Sequence, residues 1–335
     1  MPTFCRHNRF IERCPICSRT LPGNEPAGAT PRRARAGSST RSAAGPRRGA
    51  TGLRVHREGR AAEDGYSNWL VPGLRASADA ARLAEEIDFA AGRLAALALD
   101  PPGLYGELRE LAGGELERAT WSCVLIAYLA PTEVADPFAA IRAVLQEAPG
   151  PEAADDELGR LLEQAELGPR SSHEPGRGAA TLEAYAQWVA RAGEGSQARA
   201  FRGDLAWTPE RRFARLFERL SLPGFSRAGR YELLVTLGRL GLYELQADSL
   251  QLGAPRVGAG AEDPTALAGK RVFGIGDPLL LDRRAGALAE AAGVPVEALD
   301  LALANWGAPQ RATAGFPAGP PEQAPASAAT AALAV

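Results

Sequence analysis

The chain has 335 residues, 45% of them apolar, and a formal net charge of −2. That length supports one large domain or two with a real core, and so neutral a balance excludes a polycation that binds nucleic acid by bulk charge. It contains no run of 18 apolar residues and no hydrophobic signal core, so no membrane partner is expected and a soluble, cytoplasmic protein is predicted.

Three of the four cysteines fall in the first seventeen residues, as Cys5-Arg-His7 and Cys14-Pro-Ile-Cys17. Three thiolates and an imidazole make a four-ligand set, and the CPIC turn lets two sulfurs meet one metal. Residues 1–19 are therefore predicted to form a zinc knuckle with ligands Cys5, His7, Cys14 and Cys17. With all four positions filled by protein, the zinc is structural rather than catalytic. One alternative is a disordered terminus with incidental cysteines; an iron–sulfur cluster is a weaker one, since it more usually takes an all-Cys set. Residues 20–62 follow as a disordered basic linker, with nine arginines between Pro26 and Arg60 against one acid, Glu58. So few apolar side chains cannot bury enough surface to order the segment. It reads either as an arm for a phosphate backbone or as a solvated linker.

From Glu63 the composition changes. Ser77 reads as the cap of a long helix with Ala80, Leu83, Ile87, Ala90, Leu94 and Leu97 on one face, stopped by Pro101-Pro102. A second helix spans 115–130 and carries Trp121, Ser122 and Tyr128; Asp136-Pro137 opens a third. A surface helix covers 152–167, and the loop 168–180 holds His173 as a solvated side chain. Thr181 caps a helix with Tyr185 and Trp188. Thr208-Pro209 caps another, with Phe213, Leu216, Phe217 and Leu220 inward and Arg212, Arg215 and Arg219 outward. Residues 230–241 and 296–306 also read as helices. From Ala308 the chain is Ala- and Pro-rich, and a disordered tail is predicted. No strand-period segment appears, so the fold class is all-α.

The densest local signal is 267–288, LAGKRVFGIGDPLLLDRRAGAL. A helix-prone run ends at Phe273, Gly274-Ile275-Gly276 turns the chain, and Asp277-Pro278 opens a new helix. The expected tip exposes backbone N–H groups and a positive dipole end, which suits a phosphate oxygen; an ordinary helix corner is the alternative. Gly274 and Gly276, with Lys270 and Arg271 beside them, are the candidate DNA contacts.

The pattern Phe273-Gly274-Ile275-Gly276 resembles the helix-hairpin-helix of the DNA glycosylase superfamily. The stretches 63–87, 231–245 and 270–307 are similar to a divergent branch of it, the alpha-glutamyl/putrescinyl thymine pyrophosphorylase group, clade 3. The resemblance implies a helical glycosylase-like domain over 63–307 and DNA as the partner. It implies an enzyme that displaces pyrophosphate from a modified thymine precursor in DNA with an amine such as glutamate or putrescine. Superfamily members place a catalytic Asp beyond the hairpin, and the matching interval here offers Glu297 and Asp300 as candidate catalytic carboxylates. Trp121, Ser122 and Tyr128 are either pocket-lining or core, and Glu63, Asp64 and Tyr66 mark a further possible site. A non-catalytic DNA-binding adaptor and a repair glycosylase remain as alternatives.

Overall fold

The computed structural model describes residues 61–151, 156–253, 262–317 and 327–335. The chain divides into 1–56 and 57–335, and all described residues belong to the second unit. The zinc-ligand set Cys5, His7, Cys14 and Cys17 and the basic segment up to residue 60 lie outside the described residues. Among those described, the fold is all-α as expected, with thirteen helices and no strand.

Numbered in chain order, α3 (Leu116–Leu129) is the centre of one half. Every residue from Ala119 to Leu129 is buried, as expected of a helix apolar on all sides. Around it pack α2 (Leu104–Leu111), α4 (Ala139–Glu147), α7 (Gln197–Arg202) and α9 (Arg227–Arg239). Outside these lie α5 (Asp156–Gln164), α6 (Gly178–Gly193) and α8 (Pro209–Arg219). The Pro209 start of α8 is capped by Thr208, whose hydroxyl accepts from Arg211 N, and its stripe of Phe213, Leu216, Phe217 and Leu220 is buried as the periodicity predicts. Arg212 is a correction. It is buried, donating to the carbonyls of Glu244 and Trp207 at 2.9 and 3.2 Å. Arg215 pairs with Glu218 and Arg219 lies over Trp207. The outer basic face is thus partly neutralised from within.

The other half joins α1 (Ser77–Leu99), α10 (Pro264–Phe273), α11 (Pro278–Ala292), α12 (Ala298–Gly307) and α13 (Ala328–Leu333). Asp64, rather than Ser77, caps α1: its carboxylate accepts from Ser77 N at 3.0 Å and from the Ser77 hydroxyl at 2.5 Å. Those hydrogen bonds hold the Asp64 carboxyl below its ordinary pKa. Tyr66 is also structural, its hydroxyl donating to Leu333 O at 2.6 Å.

The predicted disordered tail from Ala308 needs correcting wherever it is described. Residues 308–317 pack back on the core through buried Ala312 and Phe316. Thr313 donates from N and Oγ1 to the Glu133 carboxylate at 2.8 and 2.7 Å. The helix α13 sits against α1 and α11 with Leu333 fully buried. Composition alone carries no sign of these contacts, because they are all made to distant segments. The two halves meet where α1 touches α9, and there buried Arg93 pairs with Glu232.

Candidate functional site

A short turn at 274–277 joins α10 to α11. Gly274 ends α10 in the left-handed region at φ 65°, a conformation glycine adopts without steric cost. Asp277 caps α11, its carboxylate accepting from Leu279 N and Leu280 N at 3.0 Å each. Two of the N-terminal amides expected to be free are therefore satisfied by the chain itself. Gly276 remains exposed, and an added Cβ there would meet nothing within 4 Å. The two cations beside the tip have internal partners: Lys270 pairs with Glu262, and the Arg271 guanidinium lies 5.5 Å from the Trp306 ring centre. The back of the hairpin is closed by Gly73, whose N–H donates to Val272 O at 2.9 Å. Any Cβ at Gly73 would fall 2.0 Å from Arg271 O.

A second feature lies where the helical halves meet. A small, partly open cavity, with about 20 Å³ of room for a water-sized molecule, is walled by the end of α3, the 169–170 loop, the first turns of α9 and the 312–314 loop. Its walls are small and apolar (Ala127, Ala130, Pro131, Pro169, Ala228), with Arg170 and Glu232 as its two charged side chains. Two wall residues that are not glycine adopt positive φ, Ala130 at 57° and Ala314 at 52°. Backbone strain of this kind is held only where the surroundings over-determine it, and it clusters at functional sites.

Behind the cavity runs a buried ionic network. Asp300 receives Arg170 on Oδ2 at 2.5 Å and Arg227 on Oδ1. Arg227 also donates to Asp263 at 2.9 Å, Leu250 O at 2.7 Å and Thr265 Oγ1 at 3.2 Å. Burial alone would raise the Asp300 pKa. The Arg227 and Arg170 charges and hydrogen bonds outweigh it and hold the group below its ordinary value, so it stays ionised. Arg170 Nη1 is buried with no hydrogen-bond partner. A guanidinium fixed by one arm and with the other unused is a ready donor to an anionic or carbonyl oxygen.

Of the sequence-predicted catalytic pair, Asp300 therefore stands directly behind the cavity, one side chain away from it. Glu297 is buried on another side, with Oε2 3.2 Å from Arg239 and Oε1 accepting from Ala247 N at 3.4 Å. Trp121, Ser122 and Tyr128 are buried core residues, Trp121 Nε1 donating to Ala148 O at 2.8 Å. His173, expected to be solvated, is buried with Nδ1 3.0 Å from the Tyr128 hydroxyl and Nε2 3.6 Å from Glu163. The cavity itself was not predicted. Its walls come from segments up to 188 positions apart in the chain (Ile126 to Ala314), and no local pattern joins them. Among the described residues, no group of three or more His, Cys, Asp or Glu side chains is placed to hold a metal ion.

No curated protein and no solved structure matches the chain. A family model does match residues 170–314, rather less than half of the chain. The matched stretch begins at the cavity arginine and ends on the loop that closes the opposite wall. Over residues 170–314 the chain is similar to the family alpha-glutamyl/putrescinyl thymine pyrophosphorylase clade 3.

Proposed function

We propose that the protein acts on DNA as a pyrophosphorylase-type transferase, replacing pyrophosphate on a modified thymine precursor with an amine. In that reaction the amine nitrogen forms a bond to the carbon that carries the pyrophosphate. The C–O bond breaks, pyrophosphate leaves with the electron pair, and the nitrogen gives its extra proton to solvent or a nearby base. The observation that carries this reading is Arg170: first residue of the family match, lining the cavity, with one guanidinium nitrogen held by Asp300 and the other without a partner. A preset donor in a small apolar cavity stabilises charge that grows on a leaving oxygen more strongly than water does. Asp300 enters as the carboxylate that orients Arg170; to take up a proton it would have to release one of its two arginines.

Chemistry on DNA here requires extrusion of the target nucleotide, since the reacting atoms of a stacked base are poorly accessible, and widening of the cavity, which has room for about one water-sized molecule as it stands. The exposed Gly274–Gly276 turn is assigned the phosphate contact, with Lys270 and Arg271 contributing field from their paired positions. The structural zinc on Cys5, His7, Cys14 and Cys17 belongs to the same proposal.

The test is nucleoside mass spectrometry after incubation with DNA carrying a pyrophosphorylated thymine precursor and a mixture of amines. A new base adduct together with released pyrophosphate is the expected result, lost in Arg170→Ala. Free base released without an adduct would mean a glycosylase, and unchanged DNA a non-catalytic binder.

A further inference from the structure

Of the five tryptophans, Trp69 stands apart. Trp121, Trp188 and Trp306 are buried and Trp207 is partly covered by Arg219, whereas Trp69 is 70% exposed. It does not sit on a loose strand. The residues just after it, Leu70 and Val71, are buried. Asn68 fixes the turn on both sides, accepting from Leu70 N at 2.9 Å and donating to Ala332 O at 3.0 Å. The Trp69 carbonyl accepts from Arg284 at 3.2 Å, and four residues on, Gly73 is bonded to the hairpin at Val272. A large ring held outward by a turn fixed at its own carbonyl, at Asn68 and at Gly73 is pre-organised, so a partner can meet it with little further ordering cost.

We propose that Trp69 stacks on a base of the DNA strand whose phosphate the Gly274–Gly276 turn holds; the inference rests on the DNA reading above. Charge favours this occupant. Arg284 anchors the Trp69 turn, and Arg283 beside it is exposed. Leu280, 46% exposed and four positions before Arg284, extends the apolar surface along the same face of α11. Four residues reach at most about 14 Å, so Trp69 lies within a few nucleotides of a phosphate at the hairpin tip. An aromatic face accepts any base and gains most from one already unstacked, the state produced when a neighbouring nucleotide is extruded.

The test uses the full chain with two probes: a thymine-rich single strand, and a duplex with a central mismatch. The expected result is a loss of affinity of about 5- to 100-fold in Trp69→Ala, with an unchanged slope of log K against log salt. Trp69→Phe should retain most of the affinity, and the wild type should show fluorescence quenching on binding that Trp69→Phe lacks. Equal affinity of Trp69→Ala and wild type overturns the proposal. So does a loss accompanied by a shallower salt slope, which would make the residue part of a charge effect. Loss of self-association or of protein capture with DNA binding intact would assign the ring to a protein partner and also overturn it. Absence of DNA binding by the wild type would instead defeat the underlying DNA reading, an outcome told apart by the unsubstituted control.

Discussion

Asp300 shows how one side chain sets the character of its surroundings. Its two oxygens bind Arg170 and Arg227 at once, so Asp300→Asn should cost roughly 3–5 kcal/mol by leaving buried Arg170 without its counter-charge and Arg227 with Asp263 alone. Urea denaturation at neutral pH measures that loss. The same group makes stability depend on pH. Its native pKa is lowered, so the unfolded chain binds the proton more readily. The stabilisation is present above the ordinary Asp value of 3.8 and is lost as pH falls through the depressed native one. The denaturation midpoint of Asp300→Asn should therefore vary less than the wild type's below about pH 4. His173 acts in the same direction at a higher pH. Desolvation lowers its pKa against the opposing pull of Glu163, so the native state favours the neutral ring. Stability should decline as pH drops below the ordinary value of 6.5, and His173→Gln should flatten that decline. Neither behaviour can be read from the sequence, because both depend on partners supplied by other helices.

At the scale of elements, the hairpin offers a paired test of close packing. Gly73→Ala would place a Cβ 2.0 Å from Arg271 O, a backbone clash expected to cost about 1–3 kcal/mol. Gly276→Ala meets nothing within 4 Å, and its effect on stability should stay within about 0.5 kcal/mol. DNA affinity should nevertheless fall in Gly276→Ala, because the methyl group would stand where the proposed phosphate approaches. Thermal melts beside binding isotherms check both halves. Helix starts were the most legible part of this architecture. Thr208-Pro209 and Asp277-Pro278 act through bonds to their own next few residues, so sequence contains the whole interaction. The cap on α1 was misread for the opposite reason, since Asp64 reaches thirteen positions forward to Ser77. Arg212 was misplaced because helical spacing identifies a face but not the Glu244 carbonyl waiting there.

For the molecule as a whole, the all-α class and the buried stripes of α1 and α8 were legible from periodicity, while the cavity between the halves was not. Periodicity reports which side of a helix is dry. It carries nothing about which distant dry sides leave a gap, or which charges end at its edge. The Ala-rich segment of α13 was hidden similarly: its sequence has no helical stripe, and its order comes from Leu333, Tyr66 and Asn68. Deleting residues 327–335 should lower stability by roughly 2–5 kcal/mol, the sum of one buried leucine and two hydrogen bonds. A thermal shift in the truncated chain measures this directly. If the proposed zinc set at the N-terminus of the chain is correct, one equivalent of zinc should copurify with the protein and be lost in Cys14→Ser/Cys17→Ser, as atomic absorption would show. The bond from Asn68 to Ala332 has one more consequence, which concerns time. The turn carrying Trp69 is completed by a residue made 264 positions later. At about 5–20 residues per second of synthesis, that turn waits on the order of 10–50 s for its last partner. Through most of that interval the turn also lacks Val272 and Arg284, and a nascent chain should be most open there to premature contacts and to chaperones.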